Sequence, residues 1–322
     1  MKKTCEISLF AATLVFLIMT LAGCKKAEIT IPSLTTAYVT STTQTSAQCG
    51  GIVISDGGKS VIERGVCWST QQNPTIADNV STDESSGISF TNALTGLSAN
   101  TTYYIRAYAT NSIGTGYGVA RSFRTLLGTV ADMDGNVYNT IMIGTQVWMV
   151  ENLRATHYAD GVTEIPMIAD NNQWSNLTTG AYCHYNNDPA NSITYGLLYN
   201  WWSAQSYCIS GWHLPTYADW FTLTTYLGNN NETGDKMKEP GTLHWNAPNN
   251  LSSNESGFLG LPGGYRAYNG SFYDCGYYGY WWSSTKYTVV YSWFLHMRNT
   301  SSRIFVDNDN KTLGFSVRYV KD

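Results

Sequence analysis

The stretch Tyr195–Trp220, YGLLYNWWSAQSYCISGWHLPTYADW, decides how the larger, C-terminal part of the chain is read. Tyr195, Leu198, Tyr199 and Trp202 recur at i, i+3, i+4 and i+7, which predicts one apolar face of a short helix. Gly211-Trp212-His213-Leu214-Pro215 reads as a rigid corner. Thr216 is placed to cap a second helix, with Asp219 at the capping-box position. Trp220, Leu223 and Leu227 then repeat at helical spacing, and Gly228 supplies a stop. No charge occurs between Tyr195 and Tyr217, so the segment is expected to be buried.

Moving outward, the Trp residues are unevenly placed: of 11, only Trp68 precedes residue 128. That asymmetry puts a domain boundary at Leu126–Gly128. With 43% hydrophobic and 13% charged residues, the chain can build cores and is not of disordered composition. A net charge of -4 gives no basic footprint, so no nucleic-acid partner is expected.

Lys2 and Lys3 precede an apolar run from Ile7 to Ala22, the pattern of a signal peptide. Leu21-Ala22-Gly23-Cys24 resembles a bacterial lipobox, which implies lipid on Cys24 and a membrane as partner. Multiple acyl chains at one residue anchor stably. Five cysteines then remain, Cys49, Cys67, Cys183, Cys208 and Cys275, an odd number that leaves at least one unpaired within the chain. None has CxxC spacing, so no zinc site is expected.

From Ile31 to Thr125 the pattern turns to β. Tyr38-Val39, Gly51–Ile54, Val61–Trp68 and Tyr103–Ala109 read as strands, with Asp56-Gly57-Gly58 as one of the turns between them. This spacing predicts an antiparallel sandwich. Leu97–Asn111, LSANTTYYIRAYATN, resembles the fibronectin type III signature, which makes Tyr103 the corner tyrosine with Ile105 and Ala107 on its face. Such domains are spacers or binding modules. Cys49 and Cys67 fall on candidate strands, and their pairing stays open because spacing does not reveal cross-strand geometry.

The second region opens with Asp132-Met133-Asp134-Gly135-Asn136. A calcium loop would need a bidentate Glu where Ile143 stands, so Asp134-Gly135 is read as a tight hairpin turn. Ile141–Met149, Glu151-Asn152-Leu153, Ala181–Asp188, Gly211–Pro215, Gly257-Phe258, Leu261–Arg266, Gly276–Thr285 and Leu313–Tyr319 follow in order. This ordered set is similar to the Fibrobacter succinogenes major paralogous domain, common in lipoproteins of Fibrobacteres and Bacteroidetes. The resemblance runs from Gly128 to the C-terminus. It implies a relative of the formylglycine-generating-enzyme and C-type-lectin fold. Family members carry Cys after the Arg of Ser-Val-Arg, as a partner for the Cys before Ser-Gly-Trp-His. Here Tyr319 stands in that place. The resemblance therefore leaves Cys208 either to pair with Cys275 or to remain a thiol.

The expected fold class is multidomain: an all-β fibronectin type III-like sandwich, then an α+β C-type-lectin-like domain. Residues 1–23 are the leader, 24–30 a lipidated tether, and 31–125 and 128–322 the two domains.

The pattern carries no evident catalytic site. Gly58-Lys59-Ser60 lacks the first glycine of a P-loop, and no GxSxG elbow exists. No Cys follows Cys275, so the paired late thiols of formylglycine-generating relatives are missing. His213 and the Glu151-Asn152 pair are read as structural, with a general base and a ligand contact as the sharper alternatives. No enzyme, cofactor or metal is therefore expected. Aromatic faces beside Asn, Asp and Arg do suit a sugar. The candidate ligand-binding residues are Tyr265, Arg266, Tyr277, Tyr278, Asp307, Asn308 and Asp309. The expectation is an outer-membrane, lipid-anchored module that binds an extracellular glycan or protein. The alternatives are a formylglycine-generating-type enzyme or a structural surface subunit.

Overall fold

The computed structural model describes residues 28–207 and 209–322. The expected leader, the lipidation site Cys24 and the thiol of Cys208 lie outside the described residues.

Eight strands build the first unit: β1 (Ser33–Thr36), β2 (Ser46–Ser55), β3 (Glu63–Ser69), β4 (Asn79–Thr82), β5 (Ser89–Thr95), β6 (Thr102–Thr110), β7 (Thr115–Tyr117) and β8 (Arg121–Arg124). They form two antiparallel sheets. One is β1-β2-β5; in the other, β4-β3-β6, β7 and β8 pair with successive parts of β6. Alternation explains the packing: in β5, Phe90, Asn92 and Leu94 point inward, and every other residue is exposed. Tyr103, Ile105, Ala107 and Ala109 share the inner face of β6. The Tyr103 hydroxyl accepts a hydrogen bond from the Ser98 N–H at 3.0 Å, the tyrosine corner that the resemblance implied.

One expectation changes here, and one open pairing is decided. Tyr38-Val39 is not a strand: β1 ends at Thr36, and pairing resumes only at the Thr40–Gln48 bridge. Three residues of this segment, 37–39, face two of β2, so the ladder bulges. Cys49 and Cys67 also do not pair. Cys49 lies in the inner core, whereas the Cys67 Sγ donates to the Pro74 and Arg106 carbonyls on the opposite face of β3. Both are free thiols. Burial pushes Cys49 up to about 12 and Cys67 up to about 11, so both stay protonated and unreactive.

The second unit has shorter pieces. Its strands are β9 (Gly128–Ala131), β10 (Val137–Ile143), β11 (Gln146–Met149), β12 (Tyr182–Cys183), β13 (Leu198–Tyr199), β14 (Trp212–His213), β15 (Gly263–Arg266), β16 (Phe272–Cys275), β17 (Tyr278–Lys286), β18 (Tyr291–Arg298), β19 (Ile304–Asn310) and β20 (Val320–Lys321). Its helices are α1 (Asn171–Ser175), α2 (Pro189–Tyr195), α3 (Trp201–Ser206), α4 (Tyr217–Tyr226) and α5 (Thr233–Met237). The C-terminal strand β20 lies between β11 and β14, in the sheet β14-β20-β11-β10-β9. A three-stranded sheet β17-β18-β19 stands apart from it, and α4 packs against β17 and β18.

The second expected helix of the opening stretch is α4. Thr216 accepts from the Asp219 N–H, and the Asp219 carboxylate accepts from the Thr216 N–H, a complete capping box. Trp220 and Leu223 are buried on its inner face. The first expected helix is displaced. Gly196 at φ +77° ends α2, Leu198-Tyr199 pairs as a strand with Tyr182-Cys183, and the helix starts only at Trp201. Asn200 caps it by accepting from the Ser203 N–H at 3.2 Å. An apolar run of this length suits a buried strand as well as a helix, and here the strand partner decided.

Buried polar side chains tie these pieces together. The Asn152 amide donates to the Tyr195 carbonyl (2.7 Å), and its oxygen accepts from Trp281 Nε1 (2.9 Å) and Arg318 Nε (2.8 Å). The Arg318 guanidinium lies 4.1 Å over the Phe258 ring and donates to the Phe258 and Leu259 carbonyls. Tyr319, where the family pattern has Cys, donates from its hydroxyl toward the Ala204 and Tyr207 carbonyls, 3.0 Å each, at the end of α3.

The connector joins the two units. Leu126 is buried in the core of the second unit. Its N–H donates to the Thr43 carbonyl, and the Leu127 N–H donates to the Thr140 carbonyl.

Candidate functional site

The sheet β17-β18-β19 has two faces of different character. Trp281, Leu295 and Met297 point inward, into the core that contains Trp220 and Phe258. Register places Tyr278 and Tyr280 on the other face, opposite Arg298 and His296. His296 in turn faces Phe305, and Phe294 faces Asp307. The rings form a ladder. Tyr278 and Tyr280 stack at 5.6 Å and 9°, Tyr280 and His296 at 5.6 Å and 26°, and His296 and Phe305 at 4.9 Å and 15°. Arg298 caps the ladder, 4.7 Å over Phe305. Tyr265 of β15 joins Tyr280 edge-on at 5.0 Å, and Tyr273 of β16 lies 5.7 Å beyond it.

Carboxylates rim this face. The Tyr280 hydroxyl donates to Asp274 at 2.8 Å, and His296 Nε2 pairs with Asp307 at 2.9 Å. Burial lowers His296 from its ordinary value, with Asp307 pulling the other way, so the ring is held toward the neutral form. Its Nδ1 has no hydrogen-bond partner among the described residues. Burial raises Tyr265, and the Asp274 carboxylate, the Tyr273 hydroxyl and the Asp309 carboxylate add to the shift. Register pairs Asp309 with Ser292, on the same side of β18 as Phe294 and His296, so Asp309 belongs to the same face. Asp307 and Asp309 are exposed, and Tyr265, Tyr278 and Tyr280 are half-buried. A row of stacked rings with carboxylates at its edge can hold the apolar face of a sugar ring and accept from its hydroxyls.

The structure thus brings together Tyr265, Tyr278, Asp307 and Asp309. Three other candidates sit elsewhere. Arg266 is fully buried: it donates to the carbonyls of Gly270, Ile168 and Ala169 and to Asn171, and lies 4.4 Å over the Trp174 ring. It pins two segments, 168–171 and the turn at Gly270, from inside the core. Tyr277 is exposed in the turn before β17. Asn308 pairs with Trp293, which puts it on the opposite face of the sheet.

Tyr280, whose aromatic ring also suits a sugar, completes the face together with Tyr273, Asp274, His296 and Phe305, four residues that were not among the expected site residues. Their signal was period-two spacing, Tyr278-x-Tyr280 and Phe294-x-His296, but only the hairpin register aligns the two runs.

The other candidates have partners within the chain. Glu151 accepts from the Asn139 N–H and amide, 2.7 Å each. His213 Nδ1 meets Asp322 at 2.6 Å and its Nε2 meets Asp219 at 3.1 Å, which ties the chain end to the α4 cap. The Asp132 carboxylate accepts from the N–H groups of Asp134 and Asn136 and from the Tyr138 hydroxyl, so it staples the expected turn. Among the described residues, no group of three or more His, Cys, Asp or Glu is arranged to hold a metal.

Residues 141–321 match the model of the Fibrobacter succinogenes major domain. No curated protein matches the chain. Among solved structures, the sensor domain of the anti-sigma factor RsgI4 of Pseudobacteroides cellulosolvens is similar at 16% identity, covering 31% of this chain and 98% of its own, with a TM-score of 0.25. The sixth fibronectin type III domain of human fibronectin type III domain containing protein 3 is similar at 26% identity, covering 30% of this chain and 82% of its own, with a TM-score of 0.21.

Proposed function

We propose, from the premise that the chain belongs to the Fibrobacter succinogenes major domain family, that it is a non-catalytic binding module of the cell envelope whose ligand is an extracellular glycan. In this reading Cys24 carries the lipid anchor at the outer membrane, the sandwich is a fibronectin type III-type spacer, and the second unit is a relative of the C-type-lectin fold. No helix among the described residues is long and apolar enough to cross a membrane.

The observation that carries the binding reading is the ring ladder of Tyr265, Tyr280, Tyr278, His296 and Phe305 with Asp274, Asp307 and Asp309 at its rim. The carboxylates disfavour an anionic glycan at this face and suit neutral, hydroxyl-rich rings. A glycan array probed with the whole two-domain chain tests it. Retention of a neutral glycan should fall about tenfold or more in Asp307→Ala, about 1.4 kcal/mol, and stay unchanged in Tyr277→Ala. If no neutral glycan is retained, or if both variants behave like the wild type, the reading fails.

A further inference from the structure

Where the sandwich meets the second unit there is a cleft of about 360 Å³, lined from one side by Tyr38, Arg121 and Arg124 and from the other by Asn139, Glu151 and Glu255. It shares no residue with the ring ladder. Clefts of this size at domain interfaces are where small ligands bind.

Arg121 is the informative residue. Its guanidinium lies 3.7 Å over the Tyr38 ring, and its Nε donates to the Thr36 carbonyl at 2.8 Å. Its two terminal nitrogens have no hydrogen-bond or ion-pair partner among the described residues. The group is therefore held from one side, with a donor fork left over, and such a fork matches a carboxylate. Arg124 adds positive charge to the same wall, though its Nε and one terminal nitrogen are taken by Asn100. The facing wall has the opposite sign. Glu151 is fixed by two bonds from Asn139 and keeps further lone pairs for a hydroxyl donor. Glu255 is engaged by Lys236 at 3.3 Å.

We propose that this cleft binds a monoanionic, hydroxyl-rich ligand of about one sugar ring, of the uronic-acid class, with its carboxylate on Arg121 and a hydroxyl on Glu151. A dianion such as phosphate is disfavoured by the two glutamates across the cleft. Both units contribute to the contact, so the site exists only in the two-domain chain.

Titration calorimetry on the whole chain tests this with galacturonate and glucuronate, and with galactose as the neutral control. Both uronates should bind, and galactose should bind at least tenfold more weakly to a chain carrying Asp307→Ala, in which the ring ladder no longer holds neutral sugars. Arg121→Gln should weaken the uronates about tenfold or more, while Arg121→Lys, which keeps the charge and loses the fork, should fall between. Tyr278→Ala should leave uronate binding unchanged, which separates this site from the ring ladder. Equal binding of galactose and galacturonate by the Asp307→Ala chain overturns the proposal. So does the absence of uronate binding, or an Arg121→Gln chain that binds uronates as the wild type does.

Discussion

In the sandwich, strands of seven to ten residues pair along β2, β3, β5 and β6, and alternating side chains fill the space between two sheets. In the second unit, β12, β13, β14 and β20 are two residues each, and loops join them to the helices and longer strands that lie between them. Backbone ladders this short cannot set the geometry. Buried side chains do so instead: Arg266, Arg318 and Asn152 each bond several loop carbonyls or side chains from inside the core. Regular strands satisfy their polar backbone among themselves, whereas an irregular fold must bring in polar side chains to do it.

The largest expected effect is in the second unit's core. Trp220 is buried, 4.7 Å from Trp148. Trp220→Ala should cost about 3–5 kcal/mol, seen by calorimetry as a lower melting transition for the second unit. A matching loss in the sandwich's transition would mean that the two units do not melt as separate bodies.

Arg318→Met tests the peg directly. It keeps bulk but strands the Phe258 and Leu259 carbonyls and removes a donor to Asn152. Each buried acceptor left alone costs about 1–3 kcal/mol, so a loss of about 3 kcal/mol is expected. A loss under about 1 kcal/mol would show that packing alone holds these loops.

Tyr103→Phe makes the corresponding change in the sandwich. It removes a single hydrogen bond, to the Ser98 N–H, and should cost about 1 kcal/mol by denaturant titration. A cost equal to that of Arg318→Met would erase the contrast between the units.

The smallest effect is electrostatic. Burial opposes charge on His213, but its bonds to Asp322 and Asp219 outweigh this and raise it above 6.5. Its stabilisation is then full below about pH 6.5 and is lost as pH rises through the raised folded value. Burial also opposes charge on Asp219, yet its bonds from Thr216 and His213 lower it, so its contribution is lost only in acid. The gap in melting temperature between the wild type and His213→Gln should therefore be larger near pH 6 than near pH 8. Solvent screening keeps it small, because the ring is 38% exposed. An equal gap at both values would leave His213 as a neutral hydrogen-bonding spacer.

What was legible in the sequence lies within a few residues of chain. The Thr216–Asp219 capping box and the inward alternation of β6 could be read directly, because caps and pleats depend on neighbours along the backbone. A turn between β9 and β10 could be read too, although it is a five-residue loop rather than a tight Asp134-Gly135 turn, and the Tyr103 corner followed from the resemblance. The tertiary structure decided the rest. Leu198-Tyr199 became a strand because Tyr182-Cys183 offered it a partner. Arg266 went inside because two distant carbonyls, of Ile168 and Ala169, and the nearby Gly270 carbonyl needed donors, and composition alone does not distinguish such an arginine from a surface one. Hairpin register put Asp307 and Asp309 beside the rings of Tyr265 and Tyr280 and sent Asn308 to the opposite face. The cleft at Arg121 arises only where the two units meet, so no local pattern in either half could announce it.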